Sequence, residues 1–337
     1  MAVTIYDIAK RCNCSTATVS KVLNHAGRIS KEKRKEILDV CKELGYVGSE
    51  SARALASNSR SSHLIGVLLH INEDKSITHE LFSGILNSFR VKMEEEGYDI
   101  CLLRHISDDD TIDYSSLIAS RGINGVFILS TSDDERKAVE LINEDIPTVG
   151  FDIDRSKYNV VSNNKESVAE LVDYLVSLGH TRFAYVTPGN HGVALERLNG
   201  FKLGLERNNI KFDERMVINA PYYCEESAKI ATDKALGSPL KPTVIMYPDD
   251  YTAISAIPYL RSLGYKVPKD ISITGFDGIE VASVMRPSIT TIKQNQTLLG
   301  EEAATMLLKL INKEEIIETT KIIDSSIVRG ESTQKIN

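Results

Sequence analysis

The sequence predicts a small all-α head, a helix-turn-helix, followed by a larger α/β core of two lobes with parallel sheets. Apolar residues recur at helical spacing over Thr4–Asn24 and again after Ser30, which predicts three short helices. From His63 onward, apolar runs of strand length alternate with amphipathic helices, such as those predicted at Glu80–Glu95 and Gln296–Ile311. Continuous apolar strands are typical of a parallel sheet that is covered on both faces. The alternation restarts after residue 161, so we expect two lobes of similar fold.

Composition bounds the class of protein. The chain has 337 residues, of which 42% are hydrophobic and 26% charged, as in a soluble protein of two or three domains. No apolar run has the ~20 residues that a membrane span needs. The start of the chain lacks a signal peptide, so we expect a cytoplasmic protein. The cysteines are odd in number and scattered, which predicts neither a disulfide framework nor a zinc site; they are Cys12, Cys14, Cys41, Cys101 and Cys224.

The charge is divided unevenly along the chain. Residues 1–60 contain eleven Lys and Arg against six Asp and Glu, a net charge of +5, whereas the remaining residues carry −12. A basic head on an acidic body indicates a polyanionic partner for the head alone.

Local signals define the first two helices of the head. Thr4 and Asp7 have the spacing of a capping box, and Ser15 is a favourable N-cap for the second helix. Asn13 can adopt the left-handed conformation that a tight turn requires. The outer face of the second helix carries short side chains and one lysine, and such a face can approach base edges in the major groove. It comprises Thr16, Ala17, Thr18, Ser20 and Lys21.

A third helix is predicted from Ser30 to Gly45, and four basic residues cluster at its start. They form either a solvated charged face or a set of phosphate contacts; they are Lys31, Lys33, Arg34 and Lys35. Residues 48–60 are rich in small side chains and are interpreted as a linker with at most a short helix at Ser49–Ala56, because isolated helices of this length are marginal in water.

Polar residues at strand ends indicate a ligand cleft in the core. Asp152 and Asp277 each close a Gly-Phe-Asp segment, one in each lobe, and Arg197 lies early in a helix of the second lobe. Ligands of open parallel sheets bind at the carboxyl ends of the strands. There the two acids could face each other, and an arginine could bind a hydroxyl or a carboxylate. The alternative is that the acids cap helices at the surface and the arginine is solvated.

Several segments together resemble the lactose/galactose-repressor (LacI/GalR) family of bacterial transcription regulators. The head and hinge segments are TIYDIAKRCNCSTATVSKVLN, RIS and LGYVGSESARALA, and the core segments are SLGHTRFAYV, ERLNGF, GYKVPKDISITGFD, RPSITTIKQN and RGEST. The resemblance covers essentially the whole chain and implies a periplasmic-binding-protein-like core. It implies a homodimeric repressor that binds a near-palindromic double-stranded operator, with an affinity set by a small effector between the lobes. It implies neither an enzyme nor a bound cofactor or metal.

The resemblance assigns DNA contacts to the head and hinge. Thr16, Ala17 and Lys21 would read bases, and Leu55 would wedge into the minor groove from a hinge that folds when two chains meet on DNA. Lys21 stands where the family usually has Arg, and lysine cannot make a planar bidentate contact with guanine. Gly48 begins a Gly-Ser pair that replaces the usual Pro-Asn, which predicts a looser hinge in the free protein. The whole implied set is Thr4, Tyr6, Ser15, Thr16, Ala17, Ser20, Lys21, Asn24, Ser30, Arg53 and Leu55.

The resemblance also assigns an effector-binding set in the core. Asp249 stands where Asn is usual, which replaces a mixed donor and acceptor by an acceptor alone. The chain has no Trp, and NEDKSITH replaces the family's aromatic loop after the first strand. We therefore expect a polar pocket for a sugar or sugar derivative and disfavour a highly anionic ligand. The implied set is His70, Thr131, Asp152, His191, Arg197, Tyr223, Asp249 and Asp277.

The predicted domains are a head at 1–47, a hinge at 48–60, a first lobe at 61–160 with 291–321, and a second lobe at 161–290 with 322–333. Two alternatives compete with a repressor that has a small effector. A sugar-processing enzyme or transport-type binding protein is disfavoured because the sequence lacks a phosphate-binding Gly loop, a nucleophile elbow and a signal peptide. A regulator that binds a phosphoprotein is disfavoured because Gly300–Ile311 carries Glu301, Glu302 and Met306, whereas such members carry Arg there.

Overall fold

The structure is a computed structural model of the chain, and it describes residues 3–23, 29–44, 46, 63–69, 78–103, 114–130, 145–153, 156–189, 191–222 and 225–336. The predicted hinge lies outside these residues. The chain divides into two compact units, Met1–Leu64 with Ser116–Asn124 and Ile65–Ser115 with Gly125–Asn337. Within the described residues, none of the helices has both the length and the apolar character needed to cross a bilayer.

The head contains three helices around one small apolar core. Ile8, Val19 and Ile37 are fully buried and come from successive helices, so each helix contributes one apolar face to the same core. The helices are α1 (Ile5–Arg11), α2 (Thr16–Leu23) and α3 (Lys31–Glu43).

The local signals of the head are confirmed. The backbone N–H and the hydroxyl of Thr4 both donate to Asp7 Oδ2, at 2.8 and 2.7 Å. Asn13 adopts a left-handed conformation with φ of 47° in the turn between α1 and α2. Ser15 Oγ accepts from the Thr18 amide at 3.1 Å, which caps α2. Short-range hydrogen bonds therefore fix the start of α1 and the start of α2.

The core consists of two six-stranded sheets, each belonging to one lobe. The first sheet has the order β11-β5-β4-β3-β1-β2 and the second β12-β10-β9-β8-β6-β7. Parallel pairing predominates, and β12 runs antiparallel to β10. The strands are β1 (Leu64–Leu69), β2 (Asp99–Leu102), β3 (Gly125–Ser130), β4 (Thr148–Phe151), β5 (Asn159–Ser162), β6 (Phe183–Thr187), β7 (Val217–Asn219), β8 (Val244–Met246), β9 (Ser272–Asp277), β10 (Thr290–Lys293), β11 (Thr320–Ile323) and β12 (Ser326–Val328).

Helices cover these sheets as the alternating pattern predicts. Helices α4 (Glu80–Glu95) and α11 (Gln296–Ile311) pack closely against each other, because Gly300 of α11 has no side chain to collide with the carbonyl of Ile85. Helices α6 (Asn164–Ser177) and α7 (Gly192–Arg207) pack in the same way around Gly200. The helices are α4 (Glu80–Glu95), α5 (Tyr114–Arg121), α6 (Asn164–Ser177), α7 (Gly192–Arg207), α8 (Glu225–Gly237), α9 (Asp250–Ser262), α10 (Glu280–Val284) and α11 (Gln296–Ile311).

The chain crosses between the two lobes slightly later than the sequence predicts. β5 belongs to the first sheet through Ser162, β10 to the second through Lys293, and β11 to the first through Ile323. Each predicted lobe boundary therefore lies two or three residues too early. The apolar pattern marks a strand but does not show which sheet its backbone joins.

The three crossings are joined by side-chain hydrogen bonds. Ser162 Oγ donates to Gln294 Oε1 at 2.5 Å. Asn163 donates to the carboxylate of Asp324 at 3.2 Å and accepts from the Ser325 amide at 2.8 Å. A displacement of one lobe must therefore act on all three crossings together.

Candidate functional site

The outer face of α2 is accessible in the head. Ala17 and Lys21 are exposed, while Thr16 and Ser20 are half-buried. The other described members of the predicted DNA-binding set are all exposed; they are Thr4, Tyr6, Ser15 and Ser30. Asn24, Arg53 and Leu55 lie outside the described residues.

The basic cluster at the start of α3 contains two kinds of residue. Lys33 Nζ donates to the carbonyl oxygen at the end of α1 at 2.6 Å, and Arg34 donates to a carbonyl oxygen near the end of α2 at 3.4 Å. Both cations therefore bind the unsatisfied C-terminal carbonyls of the neighbouring helices. This finding corrects the interpretation of the four residues as one uniform surface. Lys31 and Lys35 are exposed, so the prediction of phosphate contacts stays open for these two residues.

The head cysteines occupy core positions. Cys12 and Cys41 are buried in the apolar core, and burial raises the pKa of both thiols. Within the described ranges, no group of three His, Cys, Asp or Glu side chains could hold a metal ion.

A buried arginine forms the centre of the candidate effector site. Arg197 lies in α7 and is only 7% exposed. Its Nε donates to Asn164 Oδ1 at 2.9 Å, and its NH1 donates to the Pro248 carbonyl oxygen at 3.2 Å. The guanidinium also stacks over the Phe276 ring, with its Cζ 3.5 Å from the ring centroid. The arginine is thus oriented on three elements of the second lobe, and the alternative of a solvated arginine is wrong.

Asp277 closes β9 beside this arginine. The carboxyl group is buried, and its Oδ1 accepts from Gln294 Nε2 at 2.8 Å. Among the described residues, Oδ2 has no hydrogen-bond donor. Burial raises the pKa of Asp277 well above its usual range, and the charge of Arg197 acts in the opposite direction. A buried acceptor of this kind is costly unless a ligand or water supplies the missing donor.

Asp152 brings the first lobe into the site. It follows β4, and its Oδ1 accepts from Asn164 Nδ2 at 3.2 Å. The same Asn164 side chain accepts from Arg197 through its oxygen. One asparagine therefore connects the acid of the first lobe to the arginine of the second. The predicted pairing of Asp152 with Asp277 across a cleft stays a prediction.

Asp249 has a structural partner that the sequence did not reveal. It is fully buried at the start of α9, where its two oxygens accept from the amide and the hydroxyl of Thr252 at 2.8 and 2.7 Å. It therefore caps α9, and Thr252 donates to both of its oxygens.

Sequence reasoning missed the next acid. Asp250 is fully buried, and its Oδ2 accepts from the amides of Gly278 and Ile279 at 2.7 and 3.0 Å. Burial raises the pKa of Asp250 to about 7, although these hydrogen bonds oppose the shift. A Cβ on residue 275 would lie 2.1 Å from Asp250 Oδ1, so this carboxyl group fits against β9 only because Gly275 has no side chain. The adjacent Asp-Asp pair was the signal that could have identified it.

Tyr222 is a second residue that was missed. Burial raises the pKa of Tyr222, and the charges of Arg197, Asp277, Asp249 and Asp152 all act on its hydroxyl. The phenol therefore lies among the charged groups of the site, one residue before the predicted Tyr223. His191 is exposed at the N-cap of α7. The remaining predicted members, His70, Thr131 and Tyr223, lie outside the described residues.

The assembled site has more acceptors than donors. Besides Asp250, which binds backbone amides, three carboxyl groups, from Asp152, Asp249 and Asp277, lie near one guanidinium and one phenol. Such a set suits a ligand with several hydroxyl or N–H donors and opposes a ligand with several negative charges.

Comparison with known proteins gives the same two-part description. Residues 4–49 match bacterial regulatory proteins of the lacI family, and residues 172–333 match a periplasmic binding protein-like domain. The chain is 31% identical over 342 residues to the "Probable HTH-type transcriptional repressor ExuR" of Bacillus subtilis (strain 168), which covers 98% of this chain and 100% of that protein. It is 28% identical to the HTH-type transcriptional repressor PurR of Vibrio vulnificus (strain CMCP6), over 99% of each chain.

The fold also matches a solved structure. The Lac repressor dimer bound to operator and the anti-inducer ONPF superposes with a TM-score of 0.84 at 24% identity, over 99% of this chain and 100% of the other. The relatives named above are transcriptional repressors and not enzymes. The helix-turn-helix head, the two-lobed core and these full-length relatives together establish that the chain belongs to the lacI family of bacterial transcriptional repressors.

Proposed function

We propose that this repressor acts as a homodimer on a near-palindromic operator and that a hydroxyl-rich effector, a sugar or sugar derivative with at most one negative charge, binds between its lobes. The two-fold symmetry of a dimer is mirrored in the half-sites of its operator. In this proposal, residues 1–47 read the half-site, residues 48–60 form the hinge, and effector binding shifts the population of operator-competent dimers. Arg53 and Leu55 of the hinge would contact the minor groove.

The observation that carries the effector proposal is the buried Asp277 carboxyl group. Its Oδ2 has no donor among the described residues, and it lies beside an arginine whose direction is already fixed by Asn164 and Pro248. A ligand hydroxyl that donates to Asp277 and accepts from Arg197 would satisfy both groups. Asp152 and Tyr222 supply further polar atoms for neighbouring hydroxyls. The predominance of carboxyl groups disfavours sugar phosphates and other polyanions.

A thermal-shift screen of the full chain tests this assignment. Neutral sugars, sugar acids, sugar phosphates and nucleobases are added separately, and a neutral sugar or a singly charged sugar acid is expected to raise the melting temperature, since a ligand that binds the folded state stabilises it. Asp277→Asn should abolish the rise, and Asp99→Asn, an exposed acid on β2, should retain it. Stabilisation by a nucleobase or a sugar phosphate alone would contradict the proposed ligand class.

The DNA-binding proposal rests on the accessible face of α2. Thr16, Ala17 and Lys21 would contact base edges in the major groove. Lys21 would do so through its single ammonium group, whereas an arginine would make a planar bidentate contact. Operator selection from a random library tests this role. Lys21→Arg should change the selected base at one position in each half-site and leave the others unchanged. An unchanged selected sequence would contradict a base contact by Lys21.

The proposed phosphate contacts have a separate test. Operator affinity should fall steeply with salt, because each phosphate contact releases a counterion. Lys31→Ala and Lys35→Ala should each reduce the slope of log K against log salt by about one. A slope that is flat in the parent chain would contradict phosphate binding by the basic head.

A further inference from the structure

Three consecutive backbone amides follow the effector-site acid Asp277, and two carboxylates bind them. The amides of Gly278 and Ile279 donate to Asp250, which belongs to the same lobe. The next amide, that of Glu280, donates to a carboxylate oxygen of Glu80. Glu80 is the first residue of α4 in the first lobe, so this last hydrogen bond crosses from one lobe to the other.

A ring contact lies directly beside this hydrogen bond. His79 precedes Glu80 and is 2% exposed, and its ring centroid lies 5.0 Å from that of Tyr251 with the planes at 65°. Tyr251 follows Asp250 on α9. His79 and Glu80 of the first lobe thus contact two parts of the second lobe, the start of α9 and the segment after β9. Asp250 already joins these two parts, because it lies on α9 and binds the amides of that segment. We call His79, Glu80, Tyr251 and Glu280 the inter-lobe contact.

The segment between Asp277 and Glu280 is held rigidly. Asp277 has φ of 108°, and Gly278 has φ of 71° with no room for a Cβ, which would lie 2.4 Å from Lys293. Asp250 of α9 accepts hydrogen bonds from the amides of Gly278 and Ile279 within the segment. These contacts leave the segment little room to rearrange, so a displacement of Asp277 would act on the Glu280 amide three positions later.

We propose that Glu80 is a positioning residue that holds the two lobes closed over the effector site by binding the Glu280 amide. The carboxylate accepts a charge-assisted hydrogen bond, the strong kind, from the segment that carries Asp277. The link to effector response depends on the proposed effector site. The closing role of Glu80 does not, because it rests on the inter-lobe contact alone.

The absence of Trp from the sequence allows a specific probe of closure. Tyr251→Trp places a single indole against His79 in the full chain. In that background, Glu80→Ala is expected to shift the emission maximum to longer wavelength and to increase quenching by acrylamide, because loss of the hydrogen bond lets the lobes separate. Glu80→Gln keeps an acceptor and should give a smaller change. Glu94→Ala is the matched control, since Glu94 lies on the same helix and pairs with Arg90.

Hydrogen exchange in the chain with native Tyr251 provides a second measurement. Glu80→Ala should accelerate exchange of the Glu280 amide about tenfold or more, as expected for a lost bond to a charged acceptor. The Gly278 and Ile279 amides should keep their protection, because Asp250 still binds them. Unchanged quenching together with unchanged exchange would overturn the proposal, and so would equal effects of Glu94→Ala. Neither measurement uses a ligand. A failed ligand screen would therefore count against the proposed effector and not against the role of Glu80.

Discussion

Replacement of Arg197 offers the most direct test of how the candidate site is held together. Arg197→Ala removes a guanidinium that is 7% exposed, that donates to Asn164 and to the Pro248 carbonyl oxygen, and that stacks on Phe276. It also removes the positive charge that opposes the burial of Asp277. The variant therefore leaves buried acceptors without donors instead of merely deleting a surface contact.

The expected cost follows from these contacts. Hydrogen bonds to charged groups contribute about 1.5–3 kcal/mol each, and removal of one partner of a buried charged network typically costs about 3–5 kcal/mol. We expect Arg197→Ala to lower the free energy of unfolding of the core by about 3–5 kcal/mol. Arg197→Lys keeps the charge but cannot reproduce the planar fork, and we expect a loss of about 1–2 kcal/mol.

Urea unfolding of the full chain, followed by far-ultraviolet circular dichroism, measures both variants. A lower midpoint with an unchanged slope would report a stability change in the folded state. A loss of less than about 1 kcal/mol for Arg197→Ala, within the range of ordinary surface substitutions, would refute the view that this arginine organises the site. Equal losses for the alanine and lysine variants would show that the fork geometry does not matter.

Three further predictions concern packing, pH and the head. Gly200→Ala places a Cβ 2.2 Å from a carbonyl oxygen of α6 and should cost about 1–3 kcal/mol, whereas Gly237→Ala, which meets nothing within 4 Å, should leave the melting temperature nearly unchanged. Burial lowers the pKa of His180 below 6.5 in the folded chain. The unfolded chain therefore binds more protons at acidic pH, and the free energy of unfolding should fall as the pH drops through about 6.5. His180→Gln should reduce the slope of the urea midpoint against pH, and an unchanged slope would contradict the assignment. Lys33→Ala should accelerate amide exchange in α1, because it removes the donor to the carbonyl at the end of that helix. Replacement of the exposed Lys35 by alanine should not have this effect. Equal exchange rates in both variants would exclude the capping role.

Short-range chemistry explains what could be predicted in the head and in the helices. Asn13 in the turn and Ser15 at the start of α2 act within three residues of their own positions. The predicted helices at Glu80–Glu95 and Gln296–Ile311 have the same bounds in the structure. Apolar periodicity and caps are local properties of the chain, and they are visible wherever the sequence is read.

Long-range contacts explain what could not be predicted. The Gln294–Ser162 hydrogen bond spans 132 residues, and the two hydrogen bonds of Arg197 span 33 and 51 residues. Asp249 and Asp250 are adjacent acids, yet one caps α9 and the other binds the segment after β9. Neither role follows from residue type, because the direction of each side chain depends on which element packs in front of it.

The sequence by itself therefore determined the three-helix head, the two βα arrays, and the strand-end acids as candidates. Only the tertiary structure decided that Lys33 caps a helix, that Asp250 belongs to the site, and that Asn164 connects Asp152 to Arg197. The physical reason is that secondary structure arises from neighbours within about four residues. A binding site arises where separate elements end, and the partners of a buried charge are chosen there by packing.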